Sequence, residues 1–254
     1  MAPFATSVVF HVPHDATVIP DAVKWQFALD TAELRTEVIK MTDHLTLDLF
    51  TAGVPACQIV RATVSRLVVD VERFADDSLE PMSASGMGVV YQHTSDGKPL
   101  RHPITVSDRQ VLIDTYYKPH HARLSATTQQ ILEQSGGVLL IDAHSFSSTP
   151  LPCETDQQMP RPDICIGTDD FHTPKFLSDA FIAAFEAAGF DVRLNSPFSG
   201  AMVPMFHYRK ESRLNAVMIE VNRKLYLNEA TGLANENFSV VADAIRRCTL
   251  RAVS

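Results

Sequence analysis

The 254-residue chain has only four cysteines, Cys57, Cys153, Cys165 and Cys248, and none stands in a C-x-x-C pair. Neither a cysteine-built zinc knuckle nor a disulfide framework is suggested by that spacing, and free buried thiols are expected. No stretch approaches the roughly eighteen apolar residues that a membrane span needs. The first residues, Met1 to Ser7, lack the basic start and long apolar region of a signal peptide. A soluble, cytoplasmic protein without a membrane partner is the expectation. Positive charge is also in deficit, with 22 Lys and Arg against 30 Asp and Glu for a net charge of −8. Nucleic acid is therefore not an expected partner, because its binding depends on basic residues neutralising phosphates. A small anionic ligand stays compatible, since one locally positive cleft can sit in an acidic protein. The ten Gly and fifteen Pro are scattered, so no linker is seen, and residues 1–254 read as one domain.

Several familiar catalytic signatures are missing too. There is no H-E-x-x-H, no H-x-[DE] of the iron-oxygenase type, no G-x-S-x-G elbow, no G-x-G-x-x-G and no P-loop. Serine-nucleophile, dinucleotide and nucleotide-hydrolysis chemistries lose weight accordingly. Ser145 adjoins His144, but neighbours in an extended segment point apart, so the pair is a poor nucleophile and base.

What is present is apolar material in quantity: 45% of the chain is hydrophobic and only 20% charged, enough for one large core. Short β-branched runs read as buried strands at Ser7 to Val12, Gln58 to Val60, Arg66 to Val71, Val138 to Ile141, Asp191 to Leu194 and Ala216 to Val221. Helical spacing separates them. One helix starts at Thr173-Pro174 and stops at Gly189, another covers Ala122 to Gln134, and a last one covers Phe238 to Leu250. Strands alternating with helices predict a single α/β domain with a mixed, mainly parallel sheet covered by helices. Ligands of such sheets gather beyond the carboxyl ends of the strands.

Two strand endings carry unusual chemistry, Val8-Val9-Phe10-His11-Val12-Pro13-His14-Asp15 and Leu139-Leu140-Ile141-Asp142-Ala143-His144-Ser145. Each puts a histidine where a buried strand opens into a loop. Imidazole is the commonest ligand of a borderline cation, and a nearby carboxylate can fix its tautomer. His14 and His144 are thus candidate metal ligands, with a hydrogen-bonded loop histidine as the plain alternative. A catalytic zinc site takes three protein ligands; Asp43 is a candidate third, although its residue type also suits a helix N-cap. His11 and His44 are fallback ligands. Glu220 sits inside the apolar strand Val217 to Val221, where burial penalises its charge and suits a general base; a solvent-facing position is the alternative. Arg66 and Arg73 flank Leu67 to Val71 and can polarise a carbonyl or clamp a carboxylate, or else pair with Asp70 and Glu72 at the surface.

The order of segments resembles the N-formylglutamate amidohydrolase family. Val12-Pro13-His14 with Ile19-Pro20, and Thr42-Asp43 before Leu49-Phe50, are similar to its opening. Ser65 to Arg73 resembles its arginine-bearing segment. Further similar blocks follow at Tyr117-Lys118-Pro119-His120-His121, Asp142-Ala143-His144-Ser145, Asn195-Ser196-Pro197-Phe198-Ser199-Gly200 and Ile219-Glu220-Val221-Asn222. The resemblance implies a fold related to zinc carboxypeptidases and aspartoacylases, a Zn2+ or other divalent transition-metal cofactor, and a small-molecule N-acyl amino acid as substrate. It implies His14, Asp43 and His144 as ligands, Glu220 as the residue that activates water, and Arg66 as the one that steadies the oxyanion. Arg73 would grip the substrate carboxylate, with His121 and Asn195 also in the substrate pocket. Three departures stand out, one being Ser199-Gly200-Ala201 where family members often show Gly-Gly, which implies a different lip of the pocket. The H-x-x-E of the carboxypeptidases is absent, Thr17 standing where its glutamate would be. The family's Asn-Arg pair is Glu72-Arg73 here, a negative charge that would disfavour an acidic substrate unless it is turned away or neutralised. A deacylase or carboxypeptidase-like hydrolase of a different N-acyl or peptide substrate, and a non-catalytic ligand-binding relative, are the alternatives.

Overall fold

In the computed structural model, which describes residues 7–253, six strands form one sheet. They are β1 Val8–Val12, β2 Ile59–Arg61, β3 Val138–Phe146, β4 Ile164–Gly167, β5 Val192–Leu194 and β6 Leu214–Asn222, in the order β2-β1-β3-β6-β4-β5. The first four strands of that order run parallel, and β4 pairs antiparallel with β6 and parallel with β5. This is the mixed, mainly parallel sheet expected from the sequence. Seven α-helices accompany it: α1 Asp21–Lys24, α2 Thr31–Met41, α3 Thr46–Thr51, α4 Val106–Leu112, α5 Lys118–Ser135, α6 Lys175–Glu186 and α7 Phe238–Ala252. No described helix is long and apolar enough to cross a membrane.

The period of two along a strand decides what each face carries. Val8, Phe10 and Val12 of β1, Ile141 and Ala143 of β3, and Val217, Ile219 and Val221 of β6 all join one core. Helices α3, α6 and α7 cover that face; α6 contributes Leu177, Phe181, Ala184 and Phe185, spaced as one helical stripe. The alternate residues, Val9, Leu140 and Ala216 among them, face α5 through Leu124, Ile131 and Leu132. His11, Asp142, His144 and Glu220 have the same parity as those residues. The alternation that builds the first core therefore sets four titratable side chains on the opposite face, toward the strands' carboxyl ends.

Strand β4 and helices α1 to α4 were not among the elements expected from the sequence, and two of the expected strands differ in form. Arg66 to Val71 is a run of turns, not a strand. Its Leu67, Val68, Val69 and Val71 are buried in a separate loop core with Met87, Val89 and Tyr91. Burial on all sides produced the strand-like composition there. The buried Arg101 ties that core together, donating to the carbonyls of Leu67, Val68 and Tyr91 and to Gln26 Oε1, with its guanidinium over the Phe27 ring. The second difference is β3, which runs five residues beyond Ile141 and keeps His144 and Ser145 inside the strand. Of the cysteines, all free, Cys165 and Cys248 are buried as expected, whereas Cys57 is exposed and Cys153 half-buried.

Candidate metal centre and active site

At the carboxyl ends of β1, β3 and β6 lies a cavity of about 610 Å³. His14, Asp43, Arg66, Glu72, Arg73, His121, His144 and Glu220 all line it. Seven of these were singled out by sequence as site residues and come from six separate stretches of chain. Asn195 does not join them. It sits past the end of β5 at φ 54°, and its side-chain amide is bonded to Thr168 through both its oxygen and its nitrogen.

The two imidazoles are oriented alike. His14 Nε2 is 2.8 Å from Asp70 Oδ1, and His144 Nδ1 is 3.1 Å from Asp43 Oδ2. In each case a buried carboxylate accepts the proton of one ring nitrogen and turns the other inward. His14 Nδ1 is buried without a hydrogen-bond partner, 3.8 Å from Glu72 Oε2 and also 3.8 Å from Asp43 Oδ2. His144 Nε2 is 3.2 Å from Glu72 Oε1 and 3.1 Å from Asp142 Oδ1. Ligand atoms of His14, Glu72 and His144 lie within 4.8 Å of one another. A carboxylate behind each inward-turned imidazole is the supporting arrangement typical of metal-ligating histidines.

Those carboxylates are themselves anchored. Asp70 receives Arg66 Nε and Nη2 at 3.1 and 2.8 Å, the Tyr91 hydroxyl and the Glu72 backbone N–H. Asp43 receives Arg223 Nη2 at 2.8 Å and the Ser145 backbone N–H at 3.2 Å. It is not a helix N-cap: α3 begins after Leu45, which adopts a left-handed φ of 64°, and Asp43 offers Thr46 only its backbone carbonyl. Arg223 also donates to the Ser145 and Lys40 carbonyls, so it fastens the end of β6 to β3 and α2. Asp70, Tyr91 and Arg223 were not picked out as site residues by sequence. Only the position of Arg223, directly after the strand that carries Glu220, hinted at a role.

Electrostatics follow from this crowding. Burial and Arg66 oppose a charge on His14, but Asp70 and Asp43 outweigh them and raise its pKa. Burial likewise opposes a charge on His144, while Glu72, Asp142 and Asp43 raise its pKa well above the ordinary value. Surroundings that favour a proton on both rings favour a metal cation in its place. Glu220 behaves in the opposite way. Paired in register with His144 across β3 and β6, it is 7% exposed, and its Oε2 has no hydrogen-bond partner. Burial pushes its carboxyl up to about 8, against the lowering effect of His144.

A second set adjoins the first. His11 Nδ1 lies 2.8 Å from Asp142 Oδ1 and 3.6 Å from Glu72 Oε1, and His11 Nε2 lies 2.8 Å from His120 Nε2. His11 is thus engaged beside the centre, while His44, the other fallback ligand, is outside the cavity lining. His121 Nε2 donates to the Val71 carbonyl at 2.7 Å, its ring close to Tyr117, and burial lowers its pKa to about 4. It presents a neutral ring to the cavity. Arg73 is less tightly held than Arg66, at 3.8 Å from Asp70 and 3.6 Å from Glu80, with its Nε buried and unpartnered.

Residues 6–227 match the family model for N-formylglutamate amidohydrolase. The chain belongs to that family. An N-formylglutamate deformylase of Pseudomonas putida is 28% identical over 177 residues, which is 67% of this chain and 64% of the deformylase. The crystal structure of an N-formylglutamate amidohydrolase from Ralstonia eutropha JMP134 superposes with a TM-score of 0.84 at 22% identity, covering 99% of this chain and 93% of that one. A gene product of Agrobacterium tumefaciens has a TM-score of 0.65 at 19% identity, over 96% and 89% of the two chains. Within the N-formylglutamate amidohydrolase fold, the Ser199-Gly200-Ala201 segment lines the cavity as its lip, Gly200 taking a left-handed φ of 94° that favours glycine.

Proposed function

We propose that this member of the family is a metal-dependent amidohydrolase that cleaves the amide of a small N-acyl amino acid, N-formylglutamate being the compound the family's name points to. The observation that carries the reading is the pair of imidazoles, His14 Nε2 bound by Asp70 and His144 Nδ1 by Asp43, with ligand atoms of both rings and of Glu72 within 4.8 Å of one another. Two histidines and one carboxylate form a donor set suited to zinc or a similar divalent transition metal. His14, Glu72 and His144 would hold the ion, so in this reading Glu72 takes the third place that the sequence suggested for Asp43. Asp43 is then a positioning residue, its oxygens engaged by Arg223, His144 and Ser145. When bound, such a cation supplies Lewis acidity, lowering the pKa of a water and polarising the amide carbonyl.

The chain's own groups do the rest. Glu220 accepts the proton of the attacking water and passes it to the amide nitrogen as the carbon–nitrogen bond breaks, giving a free amine and a carboxylate. Burial, which raises the pKa of this carboxyl, moves it toward the range in which one group can both take and return a proton near neutral pH. Arg66, fixed at the cavity wall by Asp70, is placed to offset negative charge on the carbonyl oxygen. Arg73, more loosely paired, is the group proposed to bind the substrate's carboxylate, with His121 beside it. Ser145 is given no nucleophilic role; its hydroxyl oxygen accepts from Arg223 Nε at 3.2 Å.

The test is release of a free amino group from N-acyl amino acids by the full chain, before and after removal of metal with a chelator. Turnover should disappear on chelation and return when zinc is restored. Full turnover in protein shown by elemental analysis to be metal-free would overturn the reading.

A further inference from the structure

The lip of the cavity is a loop, the part of a fold that is ordinarily most mobile, yet it is fastened at several points. Every residue from Phe198 to Val203 lines the cavity. The buried Cys165 thiol of β4 donates to the Phe198 carbonyl at 3.1 Å. The Met202 backbone N–H donates to Asp142 Oδ2 of β3 at 2.9 Å. Between those two points Gly167, the last residue of β4, lies so close to the Gly200 carbonyl that a Cβ at 167 would collide with the oxygen. The Phe198 ring is held as well, with the Arg161 guanidinium 5.6 Å from its centroid.

Arg161 also reaches the neighbouring wall. It is 4% exposed, and its guanidinium lies 5.6 Å from the Phe146 ring. It donates to the Ser147 carbonyl at 3.0 Å and the Asp156 carbonyl at 3.1 Å, and it pairs with Glu154. Phe146, Ser147 and Glu154 line the cavity too. One planar cation, set against two rings and bonded at its edge, thus joins the lip to the wall that follows β3. Cys165 pairs in register with Glu220, so the anchors on β4 also set the lip relative to the strand that carries the proposed base. A Cβ at 167 would meet the Met218 methyl as well. That is the end of a flexible side chain and can swing aside, whereas the carbonyl of a fastened loop has to move with its neighbours.

We propose that residues 198–202 form a pre-set wall of the substrate site, and that Gly167 and Arg161 are the positioning residues that place it. This rests on the amidohydrolase reading and adds two residues that govern how the substrate is seated while lying outside the proposed metal ligands.

The zinc-loaded full chain is compared with Gly167→Ala and Arg161→Lys, using N-formylglutamate as substrate and amine release as the readout. Both variants should raise KM about tenfold or more, since misplacing a substrate-positioning group by about 1 Å costs up to about 10²-fold. Most of the loss in kcat/KM should lie in KM, and zinc affinity, read against a competing chelator, should match that of the parent. Binding of N-formylglutamate in a Glu220→Gln background, measured by calorimetry, should weaken by the same factor. Unchanged KM and binding in both variants would overturn the proposal. So would a loss confined to kcat and zinc content, which is the signature of general damage to the fold. If Gly167→Ala does not fold, Arg161→Lys decides, because it keeps the charge beside Glu154 and gives up the planar contact with both rings. Weakened binding in both variants without turnover in the parent would sustain the lip assignment and count against the hydrolase reading. Absence of binding in the parent would overturn both.

Discussion

Replacing Glu220 with glutamine is expected to lower kcat by about 10²- to 10⁴-fold, the usual contribution of a positioned acid–base group, while metal stays bound. The substitution keeps shape and removes only the titrating carboxyl. Because Glu220 is not among the clustered ligand atoms of His14, Glu72 and His144, metal content should match that of the wild type. Stability should move the other way. The folded-state pKa, raised from 4.5 to about 8 by burial, means that the native state holds a proton the unfolded state releases. The wild type's stabilisation is complete below about pH 4.5 and is lost as pH rises through 8. Glutamine has no such loss, so in chelated protein the variant's thermal midpoint should gain on the wild type between those values and level off above. Retained turnover would remove Glu220 from the mechanism. A midpoint difference independent of pH would show that its carboxyl is not held protonated.

The second large effect separates Glu72 from Asp43. Glu72→Gln is expected to lose its metal on dialysis, as His144→Ala is, because each removes a donor from the proposed set. Asp43→Asn is expected to keep the metal with affinity weakened by about 10- to 100-fold, the usual cost of disturbing the group behind a ligating histidine. Titration of each variant with zinc against a competing chelator reads the difference. The reverse outcome, with Asp43→Asn stripped and Glu72→Gln full, would restore Asp43 as the third ligand.

Why the sequence suggested Asp43 is instructive. It showed two carboxylates, each in a polar stretch beside an apolar run, and nothing in local spacing says which one faces a histidine 72 or 101 residues away. Glu72 read as a charge beside a carboxylate clamp; in the fold it faces His14 and His144, where in the proposed function its negative charge would offset that of a cation. The burial of His144 and Glu220 was legible because each breaks an apolar strand pattern, and that of His14 because it closely follows the apolar strand β1. The sheet was legible for the same reason, through its period of two. Two features misled. Leu67 to Val71 has the composition of a strand because it is surrounded by a core of loops, and β4, with only Ile164 to Gly167, is too short to show a period. Arg223 and Tyr91 act through contacts 180 and 21 residues away, which no local pattern reveals.

X-ray absorption at the zinc edge of the zinc-loaded full chain tests the centre itself. Two imidazoles and otherwise oxygen around one ion per chain is the predicted first shell, with one imidazole lost in His144→Ala. A shell with no imidazole, or one containing sulfur, would contradict the assignment of His14, Glu72 and His144.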